Sequence, residues 1–352
     1  MKEKRVTLED IAKIAGTHVT TVSLAMRNSQ RLSRDTRERI QKLAREMGYR
    51  PDPWMRALVS YRENAKEKRN PPVLAYLTNW NSKWGWKDVV AHPDFFDGAE
   101  SAATELGFAL EHFWLREPGI SHARLSQIFK ARGITGIVIA SHVREYDQYL
   151  DLEWDCFSAV KIDYFPHNPI LPMITNNQLG IIRMAMQKVM SEGYRRIAMV
   201  MDRGWDITVD NLWSAGFLWE QQQLPPQDRI PAYLFPNEVP LDQWIKNYRP
   251  EVIISMEDFI MPTLKRLGLK VPDDIALVDL FLKDTEGSVS GVRQNHQRVG
   301  ALAVEMLASQ IQYNQQGIPD IATTNHVEGT WHTGSTLPSR KTVLPELCIT
   351  AI

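Results

Sequence analysis

The first fifty residues contain three short stretches in which apolar residues recur at the spacing of an amphipathic α-helix. The first stretch opens with Thr7 and carries Asp10 three positions later, which is the pattern of a helix capping box. Gly16 follows at the position where a positive φ commonly ends a helix. Two more stretches follow at residues 19–26 and 34–47. Three short helices with a glycine turn between the first two predict a helix-turn-helix.

A fourth apolar stretch, residues 54–59, comes directly after a proline. Pro53 suits the first turn of a helix, and Asp52 is a suitable cap before it. A helix of about six to eight residues is too short to be stable alone in water. Trp54 and Leu58 also lack an obvious apolar partner within the first fifty residues. We therefore expect this helix to form only when it packs against another surface.

Beyond a charged linker that ends in two prolines, strand-like apolar runs alternate with helical ones. This alternation is typical of parallel sheets with helices on both faces, and two such halves predict a two-lobed α/β core. Open sheets of this kind bind ligands beyond the carboxyl ends of their strands. The predicted strands are 73–78, 108–113, 136–140, 157–162, 196–201, 232–235, 251–255 and 275–280, and the predicted helices are 96–106, 123–131, 180–191, 212–222, 262–267 and 299–312.

The length of 352 residues favours more than one domain. Apolar residues make up 43% of the chain and charged residues 24%, which is ordinary for a globular protein and speaks against disorder. The two cysteines, Cys156 and Cys348, provide neither a disulfide framework nor a cysteine-rich zinc site. The start resembles no secretory signal, and no apolar run reaches the ~20 residues of a membrane helix. We expect a cytoplasmic protein with no membrane partner.

Charge is unevenly distributed along the chain, although the net charge is only −1. Residues 1–70 carry 17 Lys and Arg against 9 Asp and Glu, whereas the remaining residues carry 24 against 33. A basic head on an acidic body is typical of a chain in which one end meets a polyanion such as nucleic acid. Many surface helices are basic without such a partner, so charge alone does not decide the function.

The sequence contains no convincing constellation for catalysis, metal binding or cofactor binding. Ser290 lies one position too late in residues 287–291 for the Gly-x-Ser-x-Gly pattern of a hydrolase nucleophile. Neither a Gly-x-x-x-x-Gly-Lys-Ser/Thr phosphate loop nor a His-Glu-x-x-His zinc motif occurs. The adjacent carboxylates Glu257 and Asp258 are expected to diverge and not to form a catalytic pair. We therefore expect no enzyme activity, no catalytic residue, no metal and no cofactor.

Four motifs near the start of the chain carry a resemblance to a known family. They lie at residues 6–16, 21–23, 33–40 and 48–51, and together they resemble the DNA-binding head of the lactose/galactose repressor (LacI/GalR) family. The resemblance implies a homodimer on a pseudo-palindromic double-stranded DNA operator, with the second helix in the major groove. It also implies paired hinge helices in the minor groove, where Leu58 falls at the position of a side chain that wedges between base steps.

The resemblance also assigns DNA contacts by position. Val19 and Thr20 fall where the family reads base edges, the first by methyl contact with thymine and the second through its hydroxyl. One departure is Leu24, which stands where members usually have a guanine-reading arginine. Operator preference is then expected to depend on methyl contacts, DNA shape and the hinge; alternatively, Leu24 is only a packing residue. The predicted DNA-binding residues are Thr7, His18, Val19, Thr20, Ser23, Arg31, Thr36, Tyr49, Met55 and Leu58.

Four further motifs extend the resemblance over nearly the whole chain. They lie at residues 177–180, 193–197, 271–275 and 292–294 and are similar to the effector-binding core of the same family. The implied fold is an all-α helix-turn-helix head plus a two-lobed α/β core like that of periplasmic sugar-binding proteins, with two parallel doubly wound subdomains. The expected boundaries are the head at 1–50, a hinge helix at 51–60, a linker at 61–72 and the core at 73–352, with the N-subdomain at about 73–170 and 293–325 and the C-subdomain at about 171–292 and 326–352.

The ligand pocket that the resemblance implies departs from the family pattern. Trp213 replaces an arginine that holds sugar hydroxyls in many members, and Glu257 with Asp258 replaces an Asn-Asp pair. Tryptophans are instead abundant in the strand-end loops, where their faces can stack on sugar rings, nucleobases or aromatic acids. Alternatively, these tryptophans fill the core or a dimer interface. The predicted effector-binding residues are Trp80, Phe95, Trp205, Trp213, Glu257, Asp258 and Phe281.

Together these observations predict a sequence-specific DNA-binding regulator of transcription, a repressor controlled by a small-molecule effector. A carbohydrate held between the two lobes is the effector that the resemblance implies. Two other interpretations stay open at this point. One is a ligand-sensing binding protein without specific DNA function, and the other is an enzyme built on the α/β body.

Overall fold

The computed structural model describes residues 6–26, 31–49, 71–143 and 149–341. The predicted hinge helix at 51–60 lies outside the described residues, and with it the predicted DNA contacts Met55 and Leu58. Most of the predicted linker at 61–72 also lies outside them. No helix in the described ranges is long and apolar enough to cross a membrane.

Three helices form the head, as predicted: α1 (Leu8–Ala15), α2 (Val19–Met26) and α3 (Arg34–Glu46). Thr7 and Asp10 form the predicted capping box at the start of α1. The Asp10 N–H donates to Thr7 Oγ1 at 3.3 Å, and the Thr7 N–H donates to Asp10 Oδ2 at 2.9 Å. These bonds satisfy backbone donors that the start of a helix otherwise leaves free.

A small apolar core joins the three helices of the head. Ile11, Val22 and Ile40, one from each helix, are fully buried. Burial of a side chain of this size is worth about 1.5–3 kcal/mol relative to an exposed position. Gly16, at φ +64°, turns the chain between α1 and α2 so that their apolar faces meet. The predicted helix-turn-helix is confirmed.

The rest of the described chain alternates strands and helices. In chain order the strands are β1 (Val73–Asn79), β2 (Ala109–Trp114), β3 (Gly136–His142), β4 (Ser158–Ile162), β5 (Met173–Asn176), β6 (Ile197–Asp202), β7 (Tyr233–Phe235), β8 (Val252–Ser255), β9 (Ala276–Asp279), β10 (Ser290–Arg293), β11 (Thr324–Val327) and β12 (Thr330–His332). The helices are α4 (Ala91–Glu105), α5 (His122–Arg132), α6 (Gln178–Ser191), α7 (Arg203–Thr208), α8 (Leu212–Glu220), α9 (Leu241–Tyr248), α10 (Glu257–Arg266) and α11 (His296–Tyr313).

These strands form two six-stranded sheets. The first sheet has the order β11-β5-β4-β3-β1-β2 and forms lobe 1, and the second has the order β12-β10-β9-β8-β6-β7 and forms lobe 2. Neighbouring strands pair in parallel except β10 and β12, which pair antiparallel at one edge of lobe 2. The predicted pair of parallel α/β subdomains is confirmed, with this one antiparallel edge strand added.

Helices cover both faces of each sheet. In lobe 1, α4 and α11 pack on one face and α5 on the other; in lobe 2, α6 and α8 oppose α9 and α10. The starts of α4 and α11 approach closely because glycines face the neighbouring backbone. A Cβ on Gly300 would lie 1.9 Å from the Phe95 carbonyl oxygen, and one on Gly98 would lie 1.9 Å from that of Gln297. This close contact fixes the start of α11 at the junction of the lobes.

Within the described residues the chain crosses between the lobes after Asn176, Arg293 and Val327. The first crossing comes later than the predicted boundary near residue 170, because β5 pairs with β4 and β11 and so completes the lobe 1 sheet. Each crossing leaves the carboxyl end of a strand, so the carboxyl edges of both sheets border the junction. The space between these edges, called the cleft below, is where open α/β sheets bind ligands.

Candidate functional site

The first turn of α2 presents the predicted base-contacting residues on the surface of the head. His18 and Thr20 are exposed, and Val19 is half-buried. The Thr20 N–H donates to His18 Nδ1 at 3.3 Å, and the Thr20 hydroxyl contacts the same nitrogen. Because the Thr20 N–H occupies Nδ1, Nε2 is the ring nitrogen left for a partner outside the turn. This turn therefore offers a methyl face, a hydroxyl and an imidazole nitrogen.

Two of the predicted DNA-binding residues lie at helix starts. Thr7 is exposed at the start of α1 and donates from its hydroxyl to Asp10 Oδ2 at 2.7 Å. Thr36 lies in the first turn of α3, with its hydroxyl 2.8 Å from the Ser33 hydroxyl. The start of a helix carries partial positive charge, which suits phosphate oxygens.

The remaining described head residues differ in their exposure. Arg31 is exposed, whereas Ser23 is half-buried, and Tyr49 is half-buried against the core of the head. Leu24 is also half-buried, but the apolar cluster that the described residues of the head form does not include it. Its placement therefore gives no support to the alternative that it serves only as a core residue.

Aromatic rings form a continuous series across the cleft. Measured between ring centroids, Trp80 lies 4.9 Å from His92, and His92 lies 5.9 Å from Phe95, all in lobe 1. Phe95 meets the ring of His296 edge-on at 5.1 Å, and His296 lies 4.9 Å from Phe281 of lobe 2. The structure thus connects three predicted effector residues through two histidines that the sequence interpretation missed. Phe95 itself is only 1% exposed and packs in the core of lobe 1, so the structure does not place it on the cleft surface that its prediction as an effector contact requires.

Both histidines of this series are neutral near pH 7. Burial lowers the pKa of His92 to about 4 and the pKa of His296 to about 3. His92 Nδ1 lies 3.1 Å from the Ser141 hydroxyl. The two imidazoles therefore pack as uncharged rings between Trp80, Phe95 and Phe281, and they bring no positive charge to the junction of the lobes.

Trp213 lies in the core of lobe 2 and not on the cleft surface where the sequence interpretation placed it. The residue is 2% exposed, and its indole N–H donates to Gln178 Oε1 at 2.9 Å. Gln178 Nε2 donates to Gln294 Oε1 at 3.0 Å, and Gln294 Nε2 donates to the Leu280 carbonyl at 3.0 Å. The alternative in which this tryptophan fills the core describes it better, because a ligand cannot stack on a ring that its own lobe encloses. The hydrogen bonds that run from Trp213 through Gln178 and Gln294 end at the Leu280 carbonyl, so they hold the turn that carries Phe281.

A second aromatic surface lies at the carboxyl ends of β6, β7 and β8. Trp205 is 38% exposed and meets Phe259 edge-on at 5.2 Å. Phe259 lies 6.3 Å from Phe235, which ends β7 and is also exposed. No pattern in the sequence marks the two phenylalanines as cleft residues. Trp205 has the exposed face that stacking on a flat ring requires.

The two predicted carboxylates diverge, as expected. Glu257 begins α10, where its N–H donates to Asp279 Oδ2 at 3.1 Å, whereas Asp258 is exposed and paired with Lys283. Asp279 also accepts from the Phe281 N–H at 2.6 Å, and burial raises the pKa of its carboxyl group. Asp279 therefore ties the end of β9 to the start of α10 and positions Phe281 beside the cleft.

Lobe 1 contributes a polar group to the carboxyl edge that the sequence interpretation also missed. Asp163 directly follows β4 and accepts from the Thr175 hydroxyl at 2.8 Å. Burial raises the pKa of Asp163 to about 6 and that of the adjacent Tyr164 to about 12. Asn176, at the end of β5, is 1% exposed. The sequence does not mark these side chains as site residues. Only the positions of β4 and β5 in the structure show that they lie at the carboxyl ends of strands.

A cavity of about 290 Å³ lies at the junction of the lobes, between α4, β11 and the start of α11. Small-molecule sites commonly measure about 300–1,000 Å³, so this space is at the lower limit of that range. In the part of the chain that the structure describes, no cluster of three or more His, Cys, Asp or Glu side chains is arranged to hold a metal ion.

Comparison with known families identifies both parts of the chain. Residues 7–52 match the family described as bacterial regulatory proteins, lacI family. Residues 186–336 match the periplasmic binding protein-like domain. The first match covers the three-helix head, and the second covers most of lobe 2 together with α11 and β11 of lobe 1.

Several characterised regulators are similar over most of the chain. The transcriptional regulator DegA of Bacillus subtilis is 23% identical over 288 residues, which cover 78% of this chain and 81% of DegA. The transcriptional regulator CelR of Thermobifida fusca is 24% identical over 339 residues, which cover 88% of this chain and 93% of CelR.

Solved structures share the fold. The complex of the transcriptional regulator CelR with cellobiose has a TM-score of 0.56 at 19% identity and covers 94% of this chain and 100% of that one. The lac repressor dimer bound to operator and an anti-inducer has a TM-score of 0.53 at 19% identity, with 95% and 100% covered. At these identities the likeness establishes the architecture of a helical head followed by two α/β lobes.

Proposed function

Because the chain belongs to the lacI family of bacterial regulatory proteins, we propose that it is a sequence-specific DNA-binding regulator of transcription. It acts as a repressor and as a homodimer on a pseudo-palindromic double-stranded operator. A carbohydrate bound in the cleft between the lobes controls its affinity for that operator.

The geometry of α2 is the observation that carries this proposal. Its first turn exposes His18 and Thr20 next to the half-buried methyls of Val19, while the capping of α1 and α3 holds the helix in place. A helix of this kind fits the major groove, where methyl groups contact thymine and hydroxyls bond to several bases. Thr7, Ser23, Arg31, Thr36 and Tyr49 contact the DNA backbone in this proposal and set the register of the head.

The cleft supports the proposed control by a ligand. Aromatic surfaces lie on both sides of it, with Trp80 in lobe 1 and Trp205 and Phe281 in lobe 2. Aromatic faces stack on the apolar faces of sugar rings, and CelR, a relative, is known in complex with cellobiose. A ligand that binds one arrangement of the lobes better than another shifts the population able to bind the operator, by at most its difference in affinity.

Selection of bound sequences from random double-stranded DNA by the purified chain tests this proposal. We expect recovery of a pseudo-palindromic motif, bound by two copies of the chain. The logarithm of the affinity for that motif should fall steeply with the logarithm of the salt concentration, because phosphate contacts release counterions. Recovery of no motif, or binding by a single copy, would contradict the proposal.

A matched pair of variants locates the contact surface. Thr20→Val, on the exposed first turn of α2, should weaken binding to the selected motif. Thr104→Val removes a hydroxyl that bonds within α4 to the Glu100 carbonyl at 2.9 Å and lies outside the head. The second variant should bind the motif with unchanged affinity, so equal losses in the two would argue against α2 as the reading helix.

A further inference from the structure

The last turn of α2 accepts hydrogen bonds from side-chain amides of two different parts of the chain. The Ala25 carbonyl accepts from Gln41 Nε2 of α3 at 2.9 Å, within the head. The Met26 carbonyl accepts from Asn314 Nδ2 of lobe 1 at 3.2 Å. The last carbonyls of a helix have no partner inside the helix, so each of these bonds satisfies an acceptor that the helix leaves open. The second bond joins the head to the core.

The donor of this bond, Asn314, lies on a fixed part of lobe 1. It ends α11 in the left-handed conformation, with φ +52°. The residues that follow it are bonded to the start of β4. The Gln315 carbonyl accepts from the Ser158 hydroxyl at 2.7 Å, and the Gly317 N–H donates to the Phe157 carbonyl at 3.0 Å. These bonds fix the Asn314 amide at the amino edge of the lobe 1 sheet, at the opposite end of α11 from the junction of the lobes.

A carboxylate lies on the same surface of lobe 1. Asp155, in the short 3-10 helix Trp154–Cys156, is exposed, and a Cβ on Gly317 would lie 3.5 Å from its Oδ1. Its charge acts on Arg34, the first residue of α3. The hydrogen bond to Glu38 raises the pKa of Arg34, and the charges of Glu38 and then of Asp155 raise it further. The head therefore meets lobe 1 through a hydrogen bond at the end of α2 and a charge attraction at the start of α3.

This position of the head is unfavourable for binding to DNA. In the proposed function, Arg31 and Thr36 contact the DNA backbone from positions on either side of Arg34. A phosphate at this end of α3 would approach the Asp155 carboxylate, and the two negative charges repel each other. Lobe 1 also lies beside the end of α2, the helix that is proposed to enter the major groove. DNA and lobe 1 therefore compete for the head.

We propose that lobe 1 provides a docking surface for the head of its own chain, formed by Asn314 and Asp155, and that the docked head binds DNA weakly. This inference rests on the proposed DNA-binding function and adds an inhibitory contact to it. The head is then divided between a docked and a released population. The measured affinity for DNA is the affinity of the released head multiplied by the fraction that is released.

Asn314→Gly in the full chain tests the hydrogen bond of the docking surface. Glycine suits the left-handed conformation at position 314, so the substitution removes the amide and keeps the end of α11. The variant should bind the selected motif and unrelated DNA about two- to tenfold more tightly than the parent, because one hydrogen bond no longer holds the docked head. Asn211→Gly, at an exposed left-handed position in lobe 2, is the matched control and should bind like the parent. Unchanged affinity in Asn314→Gly would overturn the proposal.

Asp155→Asn tests the charge attraction and keeps the shape of the side chain. It should tighten binding to both DNAs by about twofold, because Arg34 loses its attraction to lobe 1. The gain should disappear in an Arg34→Gln background, since the carboxylate is proposed to act through that guanidinium. Asp151→Asn, which neutralises another exposed carboxylate of lobe 1, is the control and should bind like the parent. Equal gains from the two aspartate variants would show a general effect of charge and contradict the docking contact.

Hydrogen exchange of the full chain without DNA separates this inference from the proposed function. Deuterium uptake in peptides from α2 and α3 should be about twofold faster or more in Asn314→Gly than in the parent, because the head is released more often, and it should be unchanged in Asn211→Gly.

The outcomes of the exchange and DNA measurements are distinct. If a motif is selected but Asn314→Gly alters neither uptake in the head nor DNA affinity, the docking is wrong and the regulator stands. If uptake rises but the affinity does not, the head docks without inhibition and the proposal fails. If uptake rises but no motif is selected, the contact between head and lobe 1 stands, whereas the regulator and the inhibition both fail.

Discussion

Phe281 and His296 are in ring contact across the junction of the lobes, with centroids 4.9 Å apart. Phe281 follows β9 in lobe 2, and its N–H is held by Asp279. His296 begins α11 in lobe 1 and packs edge-on against Phe95. A change in the relative position of the lobes must alter this contact, because its two members are fixed to different sheets. The contact is therefore a candidate link between ligand binding in the cleft and the geometry of the head.

Phe281→Ala should reduce the effect of a bound sugar on DNA affinity. Aromatic pairs contribute about 0.5–1.5 kcal/mol beyond their buried area, so the ratio of DNA affinities with and without sugar should move toward one by about two- to tenfold. Fluorescence anisotropy on labelled motif DNA measures this ratio. Trp219→Ala, which removes an aromatic ring that is 67% exposed on α8, should leave the ratio unchanged. An unaltered ratio in Phe281→Ala would exclude the contact from the coupling.

His296 should make the folded protein sensitive to acid. Burial lowers its folded-state pKa to about 3, below the ordinary value of about 6.5, so the folded state excludes a proton that the unfolded chain binds. The contribution to stability is complete above pH 6.5 and is lost as the pH falls toward 3. His296→Phe keeps a ring against Phe95 and Phe281 but removes the titration. At pH 4 we expect the variant to lose about 3 kcal/mol less stability than the parent, relative to pH 7.5.

Denaturant unfolding at the two pH values measures this difference. His326→Phe, at an exposed position of β11, is the control and should follow the parent curve. His92, whose pKa is lowered to about 4, will keep part of the acid sensitivity in the variant. Parallel curves for parent and His296→Phe would show that the imidazole is accessible to protons in the folded state.

The head could be predicted in detail because its signals are local. The Thr7 cap, the Gly16 turn and the buried faces around Ile11 and Ile40 depend on residues within a few positions of each other. The strands of the core were predicted where apolar runs are long. The short strands β5, β10, β11 and β12 were missed because their existence depends on pairing partners far along the chain. The start of α10 was predicted at Pro262, but the helix begins five residues earlier and contains that proline.

The cleft was predicted only in part, for a different reason. Position after a strand placed Trp80, Trp205 and Phe281 correctly at carboxyl edges, because that rule follows from topology. Topology does not predict which of these side chains is buried. Trp213 is enclosed by its own lobe, where its indole N–H bonds to Gln178. The burial of Asn176 at the end of β5 is equally invisible in the sequence, since it depends on neighbours far along the chain.

Trp213→Phe tests the structural role of this residue in the core of lobe 2. The substitution keeps a large ring but removes the indole N–H, which leaves Gln178 Oε1 without its donor in a buried site. We expect a loss of about 1–3 kcal/mol in the free energy of unfolding. Denaturant titration measures this loss, and Trp219→Phe on the exposed face of α8 should cost less than about 0.5 kcal/mol. Equal free energies of unfolding for the two variants would contradict a stabilising role for the buried hydrogen bond between Trp213 and Gln178.

Arg31→Ala should weaken DNA binding without changing its sequence preference. The residue is exposed near the start of α3 and is proposed to contact phosphate. Loss of one such contact should reduce the salt dependence of log affinity by about one unit of slope and affect all sequences alike. Anisotropy titrations at several salt concentrations, on the selected motif and on unrelated DNA, measure both effects. A change in the selected motif itself would instead make Arg31 a base-reading residue.

Leu24→Arg should give the head a preference for guanine that the parent lacks. Leu24 lies in α2 one position after Ser23 and is half-buried. It is not part of the apolar cluster that the described residues of the head form, so its loss should cost little stability. An arginine there can bond to O6 and N7 of guanine, which is worth about 1–3 kcal/mol of discrimination against other bases. Repeating the selection from random DNA with the variant should enrich guanine at one position of each half-site. Leu24→Met, which adds no donor, is the control and should return the parent motif. If Leu24→Arg also returns the parent motif, the side chain at position 24 does not reach the base edges, and α2 lies in the groove differently from the proposal.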